Sequence, residues 1–544
     1  MIKAFFLGIR WIDENIFSLG REMRLSYLPP LMVYLAAGIA GLTSIVGTFF
    51  VKDYLGLSAE FLAALGFWAG IPWALKMPLG HIVDLLWRYK SFLIYLGALL
   101  IAASLAIMTA LIGSPDAMKE IMRAEAWFVL AALLAPLGYV MQDVVADAMT
   151  VEAVPRYDAR GEVYDAATLR SMHTTMQTLG RVAIVGGGIA VSVLNIIMFK
   201  DVARLTMVEQ ASVYVTIYLI AFVIPVVSVL GVLFAWWGKG REVRRLVALG
   251  KTREEAKQMT AHGEENTTPN WVLLYGSAAF AAIAIGSGLA DIPYNQEIIF
   301  AVSLGVVLYL MKTLVAALAP DARRALVGTA IIIFVFRALP SPGAGSTWWM
   351  IDTLGFDQHF LAVLSLIGST LAVFGMFVFR KFMAEKSIAS IVGVLTVAST
   401  VLALPIVGMF YGLHEWTAIQ TGGIVDARFI AIVDTAIESP LGQVAMIPML
   451  AWIANSAPSN LKATFFAVMA SFSNLALSLS SLGTKYLNHI FVVTREVRER
   501  GTGVVKVPED YSNLGMLLIV VTILALVLPF ATILFVKASK LKSA

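Results

Sequence analysis

Residues 127–152 read WFVLAALLAPLGYVMQDVVADAMTVE, an apolar run long enough to cross a bilayer that nevertheless contains Asp143 and Asp147. Four residues apart, the two acids share one helical face. A charged side chain at the centre of a bilayer costs at least about 2.5–3.5 kcal/mol, so such a face turns toward protein or a water-filled path rather than lipid. The stretch therefore predicts a membrane-spanning helix beside a polar route.

The rest of the chain supports that reading. Hydrophobic residues make up 59% of 544 residues and charged residues 14%, too little charge to cover a soluble protein of this length. The 40 basic and 36 acidic residues leave a formal charge of +4. The basic residues gather in loops, which reads as membrane topology rather than nucleic-acid binding. Cysteine is absent, excluding disulfides, thiolate chemistry and cysteine-ligated metals. No metal-ligand spacing, nucleophile–base arrangement or phosphate-binding glycine loop occurs, so neither a cofactor, a metal nor an enzymatic activity is expected. The expected partners are a small-molecule solute, protons and the lipid bilayer.

Counting apolar stretches of roughly 18 or more residues outward from 127–152 predicts an all-α polytopic protein of about fourteen transmembrane helices. Residues 1–30 form an interfacial segment. A six-helix bundle over 31–237 has spans near 31–51, 60–82, 91–113, 126–150, 171–198 and 211–237. A basic cytoplasmic linker, 238–270, leads to an inserted helix pair at 271–318, with spans 271–290 and 296–318. A second six-helix bundle over 325–537 has spans near 325–341, 358–380, 387–411, 427–454, 461–488 and 513–536. Parallel six-helix repeats with a site between them are the major facilitator plan. A faint internal echo agrees: span 4 carries Asp143 and Asp147, and span 10 carries Asp434 and Glu438 at the same spacing. Gly80 and Gly375 likewise precede basic loops in corresponding places.

The basic loops orient the chain with both termini cytoplasmic, in a bacterial inner membrane. Residues 489–512 run against this rule: Arg495, Arg498, Arg500 and Lys506 fall on the outer side, offset by Glu496, Glu499, Glu509 and Asp510.

The intramembrane charges mark the candidate pathway. Lys76, near the inner end of span 2, either pairs with an aspartate of span 4 or snorkels to the interface. Arg181 and Arg337 lie deep in spans 5 and 7, where an arginine needs an acid or an anionic solute. Glu438 is read as a proton-exchanging group or as a member of an interhelical bridge, Asp434 as a pathway residue or a structural partner of the arginines, and Asn474 as a cavity residue. Gly80, Asp84, Arg88 and Lys90 approximate a gating loop after span 2, with Gly80 permitting close helix packing. Asp84 is expected to dock on the start of span 11 near Ser459 and Asn460. Asp147, close to the end of span 4, is assigned to that gate and Asp143 to the cavity. The Gly186–Gly188 run is expected to admit a close helix approach. Trp348, Trp349, Trp416, Trp236 and Trp237 are expected at the membrane interface.

In order along the chain, VYLAAGIAGL (33–42), LGLSAEFLAALGFWAGIPWALKMPLGHIVD (55–84) and QDVVADAMTVE (142–152) resemble the folate–biopterin transporter family of the major facilitator superfamily. FVFRALPSPGAGSTWWMIDTLGFDQHFLAVLSLIG (334–368) and APSNLKATFFAVMASFSNLALSLSSLG (457–483) extend the resemblance, which does not embrace the inserted pair. It implies a secondary active transporter that moves a small polar or anionic solute, a folate or pterin-like compound, by alternating access with proton coupling. Lys76 then matches the family's proline–tryptophan–lysine element, Asp143 and Asp147 its span 4 acids, and Arg337 its span 7 basic residue. A muropeptide or acyl-coenzyme A permease, and a non-transporting sensor or assembly factor on a transporter shell, stay open as alternatives.

Overall fold

A chain this apolar has no water in the bilayer core to satisfy its backbone, so its N–H and C=O groups must pair within helices. The computed structural model describes residues 22–55, 57–74, 76–85, 89–155, 157–158, 162–260, 271, 275, 293–316, 319–379, 382, 386–441, 444, 462–498 and 505–543. The N-terminal helices are α1 (Leu28–Ile39), α2 (Ser44–Tyr54), α3 (Ala59–Ala74), α4 (Lys76–Leu85), α5 (Ser91–Gly113), α6 (Ala124–Ala153), α7 (Ala166–Phe199), α8 (Met207–Ala221) and α9 (Val223–Ala248). After the segment expected to hold the first inserted span, which lies almost entirely outside the described residues, come α10 (Asn295–Ala316), α11 (Pro320–Arg337) and α12 (Ala344–Asp352). The chain continues as α13 (Gln358–Val378), α14 (Ile388–Phe410), α15 (Ala427–Glu438), α16 (Lys462–Ile490) and α17 (Leu514–Ala538).

Among the described residues, eight helices are long and apolar enough to cross a membrane. The other expected spans are described in parts or with local irregularities. Span 2 is described as α3 and α4, on either side of residue 75, and span 10 passes from α15 into a 3-10 turn at Ser439–Leu441, around Pro440. Span 11 is the unbroken helix α16. Span 7 was expected over 325–341 but is longer and discontinuous. Helix α11 stops at Arg337, residues 338–343 run non-helically through Pro340, Pro342 and Gly343 (φ 75°), and α12 resumes to Asp352.

That break is compensated by α16. Ser480 Oγ donates to the Leu339 carbonyl at 2.6 Å, Thr484 Oγ1 accepts from the Ser341 N–H at 3.0 Å, and Asn488 Nδ2 donates to the Pro342 carbonyl at 3.2 Å. Irregular backbone at this depth is tolerable where protein groups replace the lost helical bonds. Trp348 and Trp349 lie on α12 and are 1% and 3% exposed, so they are core residues and not the interface anchors expected of them. Trp236, Trp237 and Trp416 are exposed.

Small residues set the helix crossings. A Cβ on Gly187 would come within 2.8 Å of Gly38, which joins α7 to α1, and Gly97 and Gly138 meet where α5 crosses α6. Gly80 has no described atom within 4 Å of where its Cβ would stand, whereas a Cβ on Gly375 would collide with Pro440. The close packing expected at Gly80 is therefore made at its counterpart.

Two seams join the N-terminal and C-terminal helices: α3 and α4 pack on α16, and α7 packs on α13. Helix α10 lies against α16 and α3, with Ile299 in an apolar cluster with Phe67, Ile71 and Leu482. Leu99, Ile197, Leu219, Leu233, Leu534 and Phe535 are exposed, as side chains facing lipid would be. A short antiparallel ribbon, β1 (Val497–Arg498) with β2 (Val505–Val507), departs from the all-α expectation. It forms outside the spans, in a stretch that alternates valine with charge.

Candidate functional site

Helix α6 presents two kinds of polar residue to two sides. Gln142 is buried and donates to the Ile94 carbonyl at 3.2 Å and to Ser228 Oγ at 2.9 Å, tying α6 to α5 and α9. Asp143 and Asp147, one turn apart, face α4 instead. Lys76, the first residue of α4, places its Nζ 2.6 Å from Asp143 Oδ2 and 2.7 Å from Asp147 Oδ2. The lysine and Asp143 side chains are 18% and 19% exposed and that of Asp147 is 42% exposed, so the cluster opens toward solvent on the Asp147 side. Lys76 thus reaches both acids rather than snorkelling.

Tyr34 completes the cluster from α1. Its hydroxyl donates to Asp147 Oδ1 at 2.7 Å, so each oxygen of that carboxylate has its own donor. The ring is pressed against Gly180 of α7, where a Cβ would come within 2.9 Å of it. The tyrosine sits in the VYLAAGIAGL stretch, but in sequence it looks like any other apolar helix residue. Arg181 follows Gly180 and acts electrostatically on both Asp143 and Tyr34. It is half-buried, and among the described residues no hydrogen bond or ion pair holds its guanidinium. Counted together, Lys76, Arg181, Asp143 and Asp147 balance two positive against two negative charges.

The corresponding acids on α15 have a different setting. Asp434 is 8% exposed, its Oδ1 lacks a hydrogen-bond partner, and its charged neighbour is Glu438, which is exposed. No cation pairs with either acid among the described residues. Arg337 is half-buried at the last residue of α11, where a cation also favours the negative end of the helix dipole.

The remaining candidates are placed as follows. Asn474 Nδ2 donates to the Trp73 carbonyl at 3.1 Å, across the α3–α16 seam. Lys90 pairs with Glu152 at 2.8 Å, joining the starts and ends of neighbouring N-terminal helices. The Asp84 side chain, together with Arg88, Ser459 and Asn460, lies outside the described residues.

Long apolar helices, breaks repaired by polar side chains and charges turned toward an interior seam define an integral multi-pass membrane protein of major facilitator fold. Residues 37–543 match the BT1 family, and the chain belongs to it. A folate-biopterin transporter of Synechocystis sp. (strain ATCC 27184 / PCC 6803 / Kazusa) is 25% identical over 526 residues, 96% of this chain and 84% of that protein. Among solved structures, a POT family transporter in complex with 5-aminolevulinic acid superposes with a TM-score of 0.60 at 11% identity, covering 94% of this chain and 96% of that one. A nucleoside transporter superposes with a TM-score of 0.52 at 13% identity, covering 94% and 99%. At these identities the two structures speak for the fold alone.

Proposed function

We propose that this transporter moves a small anionic organic solute, a folate or pterin-like compound, by alternating access coupled to protons. The observation that carries the proposal is Arg181. A guanidinium deep in the membrane, beside the Lys76–Asp143–Asp147 cluster and held by no described acid, suits a solute carboxylate through paired charge-assisted hydrogen bonds. The neighbouring carboxylates suit the N–H donors of a pterin ring. The name of the Synechocystis relative supports the same solute class.

Asp434 and Glu438 are the proposed proton site, because a proton on one of two adjacent acids removes their repulsion. Arg337 and Asn474 complete the pathway. Gly80, Asp84, Arg88, Lys90 and Asp147 lie toward its cytoplasmic gate. The two bundles, 31–237 and 325–537, act as the rocking units. Numbered as six-span repeats, the seams join span 2 to 11 and span 5 to 8, which a two-fold relation between repeats would interchange. The protein then sits in a bacterial inner membrane with cytoplasmic termini.

Uptake into proteoliposomes, with folates, pterins, muropeptides and acyl-coenzyme A offered with and without an inward proton gradient, tests the reading. Folate or pterin uptake should accelerate with the gradient and slow as the external pH rises. Arg181→Gln should raise KM more for an anionic folate than for an uncharged pterin. Gradient-dependent muropeptide uptake with no folate or pterin transported would overturn the assignment.

A further inference from the structure

The outer loop that breaks the positive-inside rule has a second use for its arginine. Arg495 is 4% exposed. Its guanidinium donates to the carbonyls of Val51 and Lys52, each at 3.0 Å, and to those of Leu55 and Leu57. These carbonyls belong to the end of α2 and the turn that follows it. A helix C-terminus leaves its last carbonyls without intrahelical donors and carries partial negative charge, so a guanidinium fork caps it well. The cap is supplied from 443 residues away.

The C-terminal side of this contact is built by α12 and the start of α17. Trp348 lies under Arg495, with the guanidinium carbon 4.4 Å from the ring centroid. One turn on, Asp352 pairs with Lys52 at 2.5 Å and accepts from Tyr511 Oη at 2.6 Å. The clasp is therefore reciprocal: Arg495 reaches from the C-terminal helices to the backbone of α2, and Lys52 reaches back to Asp352. Nearby, Gln358 donates to Tyr214 Oη at 2.8 Å, and His489 Nδ1 lies 3.1 Å from Glu60 Oε2. All these links join the two sets of helices at one end of the molecule, the end the basic loops assign to the outside. At the other end, among the described residues, Lys90 with Glu152 and Lys542 with Asp321 each join elements of a single set.

We infer that the Arg495–Lys52–Asp352–Tyr511 clasp is the latch of the outer gate, which holds the transport site closed from outside and must open before solute enters from that side. The inference rests on the alternating-access reading. It also accounts for the basic residue on the wrong side of the membrane, since Arg495 is a buried helix cap and not a free topogenic charge.

The natural absence of cysteine makes the test direct. Glu60→Cys with His489→Cys places two thiols across the α3–α16 seam, outside the clasp, where a short bifunctional thiol reagent reports closure. Asp321→Cys with Lys542→Cys, within the C-terminal set, reports folding. Adding Arg495→Ala to the first pair should slow its cross-linking in membranes by about fivefold or more, as should Asp352→Asn, while the control pair reacts unchanged. Rates within about twofold of the parent in both clasp variants would overturn the latch. Where Arg495→Ala also disturbs the control pair, Asp352→Asn, which keeps side-chain size, decides the outcome. The assay needs no solute, so it stands or falls separately from folate or pterin uptake.

Discussion

Asp143 and Asp147 on α6 and Asp434 and Glu438 on α15 have the same spacing and opposite electrostatics. Lys76 lies within 2.7 Å of both N-terminal acids, and Tyr34 holds the remaining oxygen of Asp147. The C-terminal pair has no described cation, and Asp434 leaves one buried oxygen without a partner. Equal spacing places two acids on one face in each case. What each pair can do depends on the helix opposite. A carboxylate pair bridged by an ammonium is a fixed charge arrangement that orients a solute. A pair with no counter-ion gains from taking up a proton. The proposal accordingly gives the duplicated pattern two roles, solute binding on one side and proton coupling on the other.

The comparison is open to experiment, the strongest effect first. Lys76→Met leaves two carboxylates without their shared cation and should lower stability by about 3–5 kcal/mol, read as thermal unfolding in detergent, with uptake lost. Adding Asp143→Asn should recover part of that stability. A single variant as stable as the parent would mean the N-terminal cluster is not a bound charge set, and the contrast would collapse.

Tyr34→Phe removes one hydrogen bond to a carboxylate, an effect of about 1.5–3 kcal/mol on stability in the same measurement. Asp434→Asn should leave stability near that of the parent while gradient-driven uptake falls on the order of tenfold, with solute exchange in the absence of a gradient retained. Equal losses of driven uptake and exchange would assign Asp434 to solute binding instead. Asn488→Ala is the mildest, about 1 kcal/mol from the unpaired Pro342 carbonyl, with uptake little changed.

Much of the fold was legible in the sequence. Spans 91–113 and 358–380 coincide with α5 and α13 to within two residues, because an uninterrupted apolar run has one stable form in a bilayer. The breaks were harder to read. Pro340, Pro342 and Gly343 signal an interruption of span 7, but the resumption at α12 depends on Ser480, Thr484 and Asn488 reaching the irregular backbone. The tryptophans of α12 were misread for the same reason, since a tryptophan at a span end resembles an interface anchor until its neighbours are known. The candidate acids and bases were visible as charges in apolar surroundings. Tyr34 was not, because its hydroxyl differs from a phenylalanine only when an acceptor is near.

Hydropathy and charge placement, which are properties of the chain taken residue by residue, determined that this protein crosses a membrane many times and singled out Lys76, Asp143, Asp147, Arg181, Arg337, Asp434 and Glu438 as charges in apolar surroundings. Tertiary structure decided which of these charges meet. Lys76 and Asp143 are 67 residues apart, Tyr34 and Asp147 are 113 apart, and Arg495 lies 443 residues from Lys52. No local periodicity encodes such encounters. They follow from the packing of α4 and of α1 on α6, where Gly180 of α7 leaves room for the Tyr34 ring, and of α2 against the chain entering β1, which bring a charge on one element near enough to find its partner on another.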